Sequence, residues 1–166
     1  MDLIYGTRVS NCLFTELKLA EYCSAFLAVI GLCLSMCLFE FKIQQIEGLP
    51  LVIVSICNLL CTFMLVISIY IRYDLWLSWG ISLNTYTKHD TLINTRVWVY
   101  MVLEQLLCSI CPYPFLEGIV FTETMTMFDT DIEYDINEIL LFLSFIRIYL
   151  PMRFSFYLTD FLNPRT

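Results

Sequence analysis

The segment LPLVIVSICNLLCTFMLVISIYI, Leu49 to Ile71, runs for 23 residues without a single charge. At about 1.5 Å of rise per residue, such a helix crosses roughly 30 Å of hydrocarbon with length to spare. Pro50 supports a helix start here, because the first turn has no intrahelical N–H bond to lose. The reading of this one stretch decides the solvent, and the rest of the chain can be tested against it.

Three further runs match it. Upstream lies YCSAFLAVIGLCLSMCLF, Tyr22 to Phe39, uncharged and bracketed by Glu21 and Glu40. A cleavable signal peptide would carry its charge near the start and a small-residue cleavage site after the apolar run; neither is seen, so an uncleaved span is predicted. Downstream, VWVYMVLEQLLCSIC follows Arg96 and is broken at Pro112 and Pro114, although FLEGIVF continues the apolar character beyond them. The fourth run covers residues 136–158. None alternates apolar and polar residues as a membrane β-barrel strand does, so helices are predicted throughout. Composition agrees: 59% of residues are hydrophobic and 15% charged, with mean hydropathy +0.75, against about 25% charged in ordinary soluble domains. The expected fold is an all-α membrane protein, a four-helix transmembrane bundle with helices at about 22–39, 49–71, 97–121 and 136–158. A cytoplasmic segment, 1–21, precedes it, and 159–166 begins a cytoplasmic linker.

Basic residues favour cytoplasmic flanks. With both termini cytoplasmic, Arg8, Lys18, Arg72, Lys88, Arg96, Arg153 and Arg165 fall inside, Lys42 falls outside, and Arg147 lies within the fourth helix. The stretch from Glu117 to Glu138 holds seven acids and no Lys or Arg, and contributes much of the net charge of −7. It is expected to be a solvated outer loop, while Trp76 and Trp79 are placed as interfacial anchors. An acidic chain without a basic stripe argues against nucleic-acid binding.

Catalytic and metal chemistry finds little support. Cys23, Cys33, Cys37, Cys57, Cys61 and Cys108 fall within predicted spans, where they act as small hydrophobes. Cys108 and Cys111 form a lone C-x-x-C, and His89 is the only histidine, so no metal or cofactor is expected. There is no G-x-S-x-G, H-E-x-x-H, P-loop or G-x-G-x-x-G sequence, and the chain is expected not to be an enzyme.

Ionisable residues inside spans are costly and mark function. Glu104 in the third helix, Arg147 in the fourth and Asn58 in the second are the candidates. Depth arithmetic puts Arg147 roughly 16 Å deep and Glu104 roughly 10 Å from the cytoplasmic face, within reach of a pair once helix tilt is allowed. A Glu104–Arg147 ion pair with Asn58 as polar companion is therefore expected. Arg153 is expected to reach the inner headgroups as an interface anchor, and Pro151 to kink the helix between the arginines. Two basic residues are too few for a steep voltage sensor.

The third run contains VLEQLLCSICPYP, Val102 to Pro114, and the fourth contains RIYLPMR, Arg147 to Arg153, preceded by DINEILL and followed by YLTDFLNPRT. This region resembles the third and fourth helices of small-conductance calcium-activated potassium channels: a Leu-Glu pair, a cysteine five residues after its start, two prolines one residue apart, then Arg-x-Tyr-Leu-x-x-Arg. The chain departs from that family at Cys111, where a histidine is usual, at Pro151, and in its acidic outer loop. The resemblance implies a voltage-sensor-like domain beside a tetrameric potassium pore in the plasma membrane, gated through calmodulin bound further along. No Gly-Tyr-Gly filter occurs in the sequence, so the chain is not expected to conduct alone. It reads as a channel fragment, a misterminated gene model or a truncated subunit that packs with pore-containing relatives. A small four-helix adaptor or scaffold is the alternative.

Overall fold

The computed structural model describes residues 2–44, 48–87, 89–116, 119–125 and 130–158. Two long rods dominate it, α1 (Asp2–Ile43) and α2 (Leu49–Ser82). Then come the shorter α3 (Val97–Ser109), an antiparallel hairpin of β1 (Val120–Met125) and β2 (Thr130–Asp135), and a last rod. That rod is built from α4 (Ile136–Ser144), a 3₁₀ turn over Phe145–Ile148, and α5 (Tyr149–Leu158). Three rods are long and apolar enough to cross a membrane: within α1, all of α2, and Ile136–Phe156.

Several expected boundaries move. The first helix begins at Asp2 instead of Tyr22, so residues 2–21 of the expected separate segment are part of the rod. No proline interrupts it, and Phe14, Leu17 and Ala20 bury a face at helical spacing. The second helix passes Ile71 and runs to Ser82. It stops where Asn84 takes a left-handed conformation (φ 58): Asn84 N–H returns to Ile81 O and Thr85 N–H to Gly80 O, each at 3.0 Å. This is a Schellman ending that uses asparagine. Gly48 (φ 103) lets the chain turn into α2.

The third helix ends at Ser109, not at residue 121. Pro112 disfavours helical geometry in the residue before it, and Ile110 is already extended (φ −66, ψ 110). Val120 and Phe121 lie in β1. The acid-rich stretch is also corrected, from a loop to a hairpin that pairs Val120 with Asp135 and Met125 with Thr130. Glu117 and the expected linker 159–166 lie outside the described residues.

α1 and α2 pack antiparallel along most of their length, with the Phe14 and Trp79 rings 5.5 Å apart at one end. α3 lies against α2, and the last rod against α1. One apolar cluster, Ala28, Leu65, Ile69, Cys108 and Leu150, joins the rods. Around it the pattern of a water-soluble protein is inverted. Phe26, Phe63, Leu106, Phe142 and Met152 are exposed, while Glu21, Ser24, Ser35, Asn58, Thr62, Arg72, Glu104, Ser144 and Arg147 are buried. In water this arrangement would leave a large sticky surface; against lipid it is the favourable one. The buried hydroxyls are satisfied locally, Ser24 on Glu21 O, Ser35 on Gly31 O, Thr62 on Asn58 O and Ser144 on Leu141 O.

At the other end Lys42 of α1 forms ion pairs with Asp135 and, at 3.2 Å, with Glu138. Lys42 and Glu138 are exposed and Asp135 is half-buried, and surface pairs of this kind contribute about 0–1 kcal/mol.

Candidate functional site: a charged layer inside the bundle

Four of the buried stripes are spaced three and four residues apart. On α1 the stripe is Leu17, Glu21, Ser24, Ala28, Gly31 and Ser35; on α2 it is Ser55, Asn58, Thr62, Leu65, Ile69 and Arg72. Such spacing keeps one helix face toward its neighbours. On α3 Glu104 and Cys108 continue the pattern, and on the last rod Arg147 and Leu150 do. Because α1 and α2 run antiparallel, Glu21 near the start of one stripe meets Arg72 at the end of the other.

Glu104 is the hub of this layer. Its Oε2 accepts hydrogen bonds from Arg72 Nη2 and, at 2.7 Å, from the Tyr73 hydroxyl. Its Oε1 accepts from the Tyr149 hydroxyl and faces Arg153 Nη1 at 3.7 Å. Glu21 is the second acid, with Oε2 3.5 Å from Arg72 Nη1 and Oε1 3.2 Å from Arg153 Nη2. Each arginine thus bridges both carboxylates, and the four charges cancel. Arg72 and Glu21 are sealed inside, whereas Arg153 is 37% exposed. A closed ring of opposite charges is what makes such groups tolerable away from water, since removing an ion from water costs several kcal/mol even after relaxation.

The expected residues are therefore divided between two levels. Glu104 and Arg147 do not pair. Arg147 Nη2 instead donates to Thr62 Oγ1 at 3.2 Å and to Ile110 O at 3.0 Å. The reason is axial position: Arg147 precedes Arg153 by six residues, and at 1.5–2.0 Å per residue the two lie roughly 10 Å apart along the rod. Arg153 is at the level of Glu104, and Arg147 is at the level of the end of α3. There its guanidinium caps a carbonyl left unpaired by the proline break, at the negative end of the helix dipole.

Asn58 belongs to the Arg147 level. It accepts from Ser35 Oγ at 3.4 Å and stands one turn from Thr62. Arg153 points its nitrogens toward the two carboxylates while part of its side chain stays exposed. Pro151 sits third in α5, directly after the 3₁₀ turn, where Tyr149 N–H bonds Ile146 O. A helical N–H at position 151 would have bonded Arg147 O, so its absence coincides with a tightened turn in the preceding residues. The break after α3 is tied down by Asn137, whose side-chain amide both accepts from Tyr113 N and donates to Tyr113 O at 3.2 Å.

Glu21, Arg72, Tyr73 and Tyr149 were not singled out by the sequence reading. The signal was present in the three-and-four spacing that carries Glu21 and Arg72 on the buried stripes. Among the described residues no group of three or more His, Cys, Asp or Glu side chains is placed to hold a metal ion. The Tyr149 hydroxyl offers a direct check on the hub. Tyr149→Phe removes one donor from buried Glu104 and should destabilise the protein by about 1–3 kcal/mol, whereas Tyr22→Phe on the exposed face should leave thermal unfolding in detergent unchanged.

Comparison of the chain with protein-family models, with curated proteins and with solved structures found no match.

Proposed function

We propose that the chain is a non-pore, voltage-sensor-like transmembrane domain of a calcium-activated potassium channel, with both termini in the cytoplasm, serving as a fixed packing module beside a pore made by other helices. The observation that carries this reading is the charged layer. Both arginines that face the acids are bridged to two carboxylates each, Arg72 and Arg153 to Glu21 and Glu104. Sliding the last rod by one turn, about 5.4 Å, would separate Arg153 from both acids at once. An element held in this way suits a domain that transmits little voltage and positions its neighbours. The sequence similarity of Val102 to Pro114 and Arg147 to Arg153 to the third and fourth helices of that channel family supports the choice of partner, and a non-catalytic role accords with the lack of enzymatic motifs.

Co-expression with a pore-containing channel subunit in a plasma-membrane preparation tests the reading. The chain should co-purify with that subunit, and voltage steps should move no charge attributable to Arg153. Failure to associate with any pore-bearing subunit would favour the alternative, a small four-helix adaptor whose lipid-facing surfaces bind other membrane proteins. Accessibility labelling tests the orientation separately: the β1–β2 hairpin should react from the side opposite the amino terminus.

A further inference from the structure

The Arg147 level differs from the charged layer below it in one respect, which is charge balance. Glu21 and Glu104 are shared by buried Arg72 and half-exposed Arg153, and no carboxylate among the described residues lies within 4.0 Å of Arg147. Arg147 is 1% exposed. Its Nη2 is occupied by Thr62 and Ile110, but among the described residues Nε and Nη1 have no hydrogen-bond partner, and neither does Asn58 Nδ2. The end of α3 offsets at most about half of an elementary charge.

Asn58 is linked to Arg147 through Thr62, which stands one turn away on α2, donates to Asn58 O and accepts from Arg147 Nη2. Arg147 Nη1 lies against Gly31, so close that a Cβ there would be 2.9 Å away. Ser35, one turn on, bonds both Gly31 O and Asn58 Oδ1, and Thr62, one turn from Asn58 on α2, bonds Arg147. The unsatisfied groups are all donors and carry a net positive charge. A water molecule would bring two protons that need acceptors, whereas an anion supplies only acceptor capacity and cancels the charge.

We propose that Arg147 and Asn58 hold a small monovalent anion of the chloride type in the interior between α1, α2 and the 3₁₀ turn of the last rod. Burial excludes a lipid phosphate, which is too large and tethered to enter. The site is independent of the channel reading, because it depends only on the local donors.

Chloride NMR line broadening on the purified full chain in detergent tests this. The protein should broaden the chloride line beyond a detergent blank, bromide should compete the excess away, and Arg147→Gln should abolish it. Asn58→Leu, which removes one donor to the ion, should weaken chloride about tenfold. If Arg147→Gln does not fold, Asn58→Leu decides. No excess broadening in the wild-type protein, or broadening left unchanged by the deciding variant, overturns the proposal.

Discussion

Arg72→Ala should destabilise the protein by about 3–5 kcal/mol, the range expected when one member of a buried ionic cluster is removed. The variant leaves Glu21 and Glu104 facing each other with only the half-exposed Arg153 between them. For a chain of this size the loss corresponds to a fall of roughly 6–20 °C in the unfolding midpoint, readable by tryptophan fluorescence in detergent. A charge swap distinguishes the observed pairing from the one expected by depth arithmetic. Arg72→Glu combined with Glu104→Arg should recover part of the stability lost by the two single variants, with a coupling of about 0.5–3 kcal/mol. Arg147→Glu combined with Glu104→Arg should show no such recovery, because those side chains lie on different levels. Recovery in the second pair and none in the first would refute the arrangement described here.

The second large effect is expected at Gly31. Arg147 Nη1 is 2.9 Å and Cys61 Sγ 3.8 Å from the position of an added Cβ. Gly31→Ala meets only the movable end of the arginine, and the helix-propensity gain of up to about 1 kcal/mol offsets the shift. Its stability should change little. Gly31→Leu has no such escape: the branched side chain must part α1 from α2 or displace Arg147 from Thr62 and Ile110. Overpacking alone costs about 1–3 kcal/mol, and stranding a buried guanidinium adds to it. Thermal unfolding of the two variants side by side should place Gly31→Leu at least about 3 kcal/mol below Gly31→Ala. Equal midpoints would show that the helices are not in close approach here.

Much of the fold was legible because hydropathy reports directly on lipid contact. The start of α2 at Leu49, the start of the last rod at Ile136 and the break announced by Pro112 and Pro114 all follow from apolar runs and proline chemistry. A charge-free window ends at the first charge, so Glu21 and Arg72 were taken for flanks, although each is inside a continuing helix where the other neutralises it. For the same reason the partner of Arg147 was sought among acids, and the carbonyl that accepts its hydrogen bond could not be seen. Backbone groups freed by a proline leave no residue-type signature. The β1–β2 hairpin was hidden by its acidity, although Ile132 and Tyr134 alternate with Asp131, Glu133 and Asp135 at the period of a strand.

α3 has 13 residues, about 20 Å of rod at the usual rise, beside neighbours that exceed 30 Å. A bilayer of uniform thickness cannot suit both. Placed in a bilayer, the flank where α3 faces outward would thin the hydrocarbon, at a cost of fractions of a kcal/mol per ångström of mismatch. The molecule would then present lipids with an asymmetric rim, deep on the α1 and α2 side and shallow on the other. Acyl-chain length would become a determinant of its stability, and short-chain lipids should gather along that shallow edge.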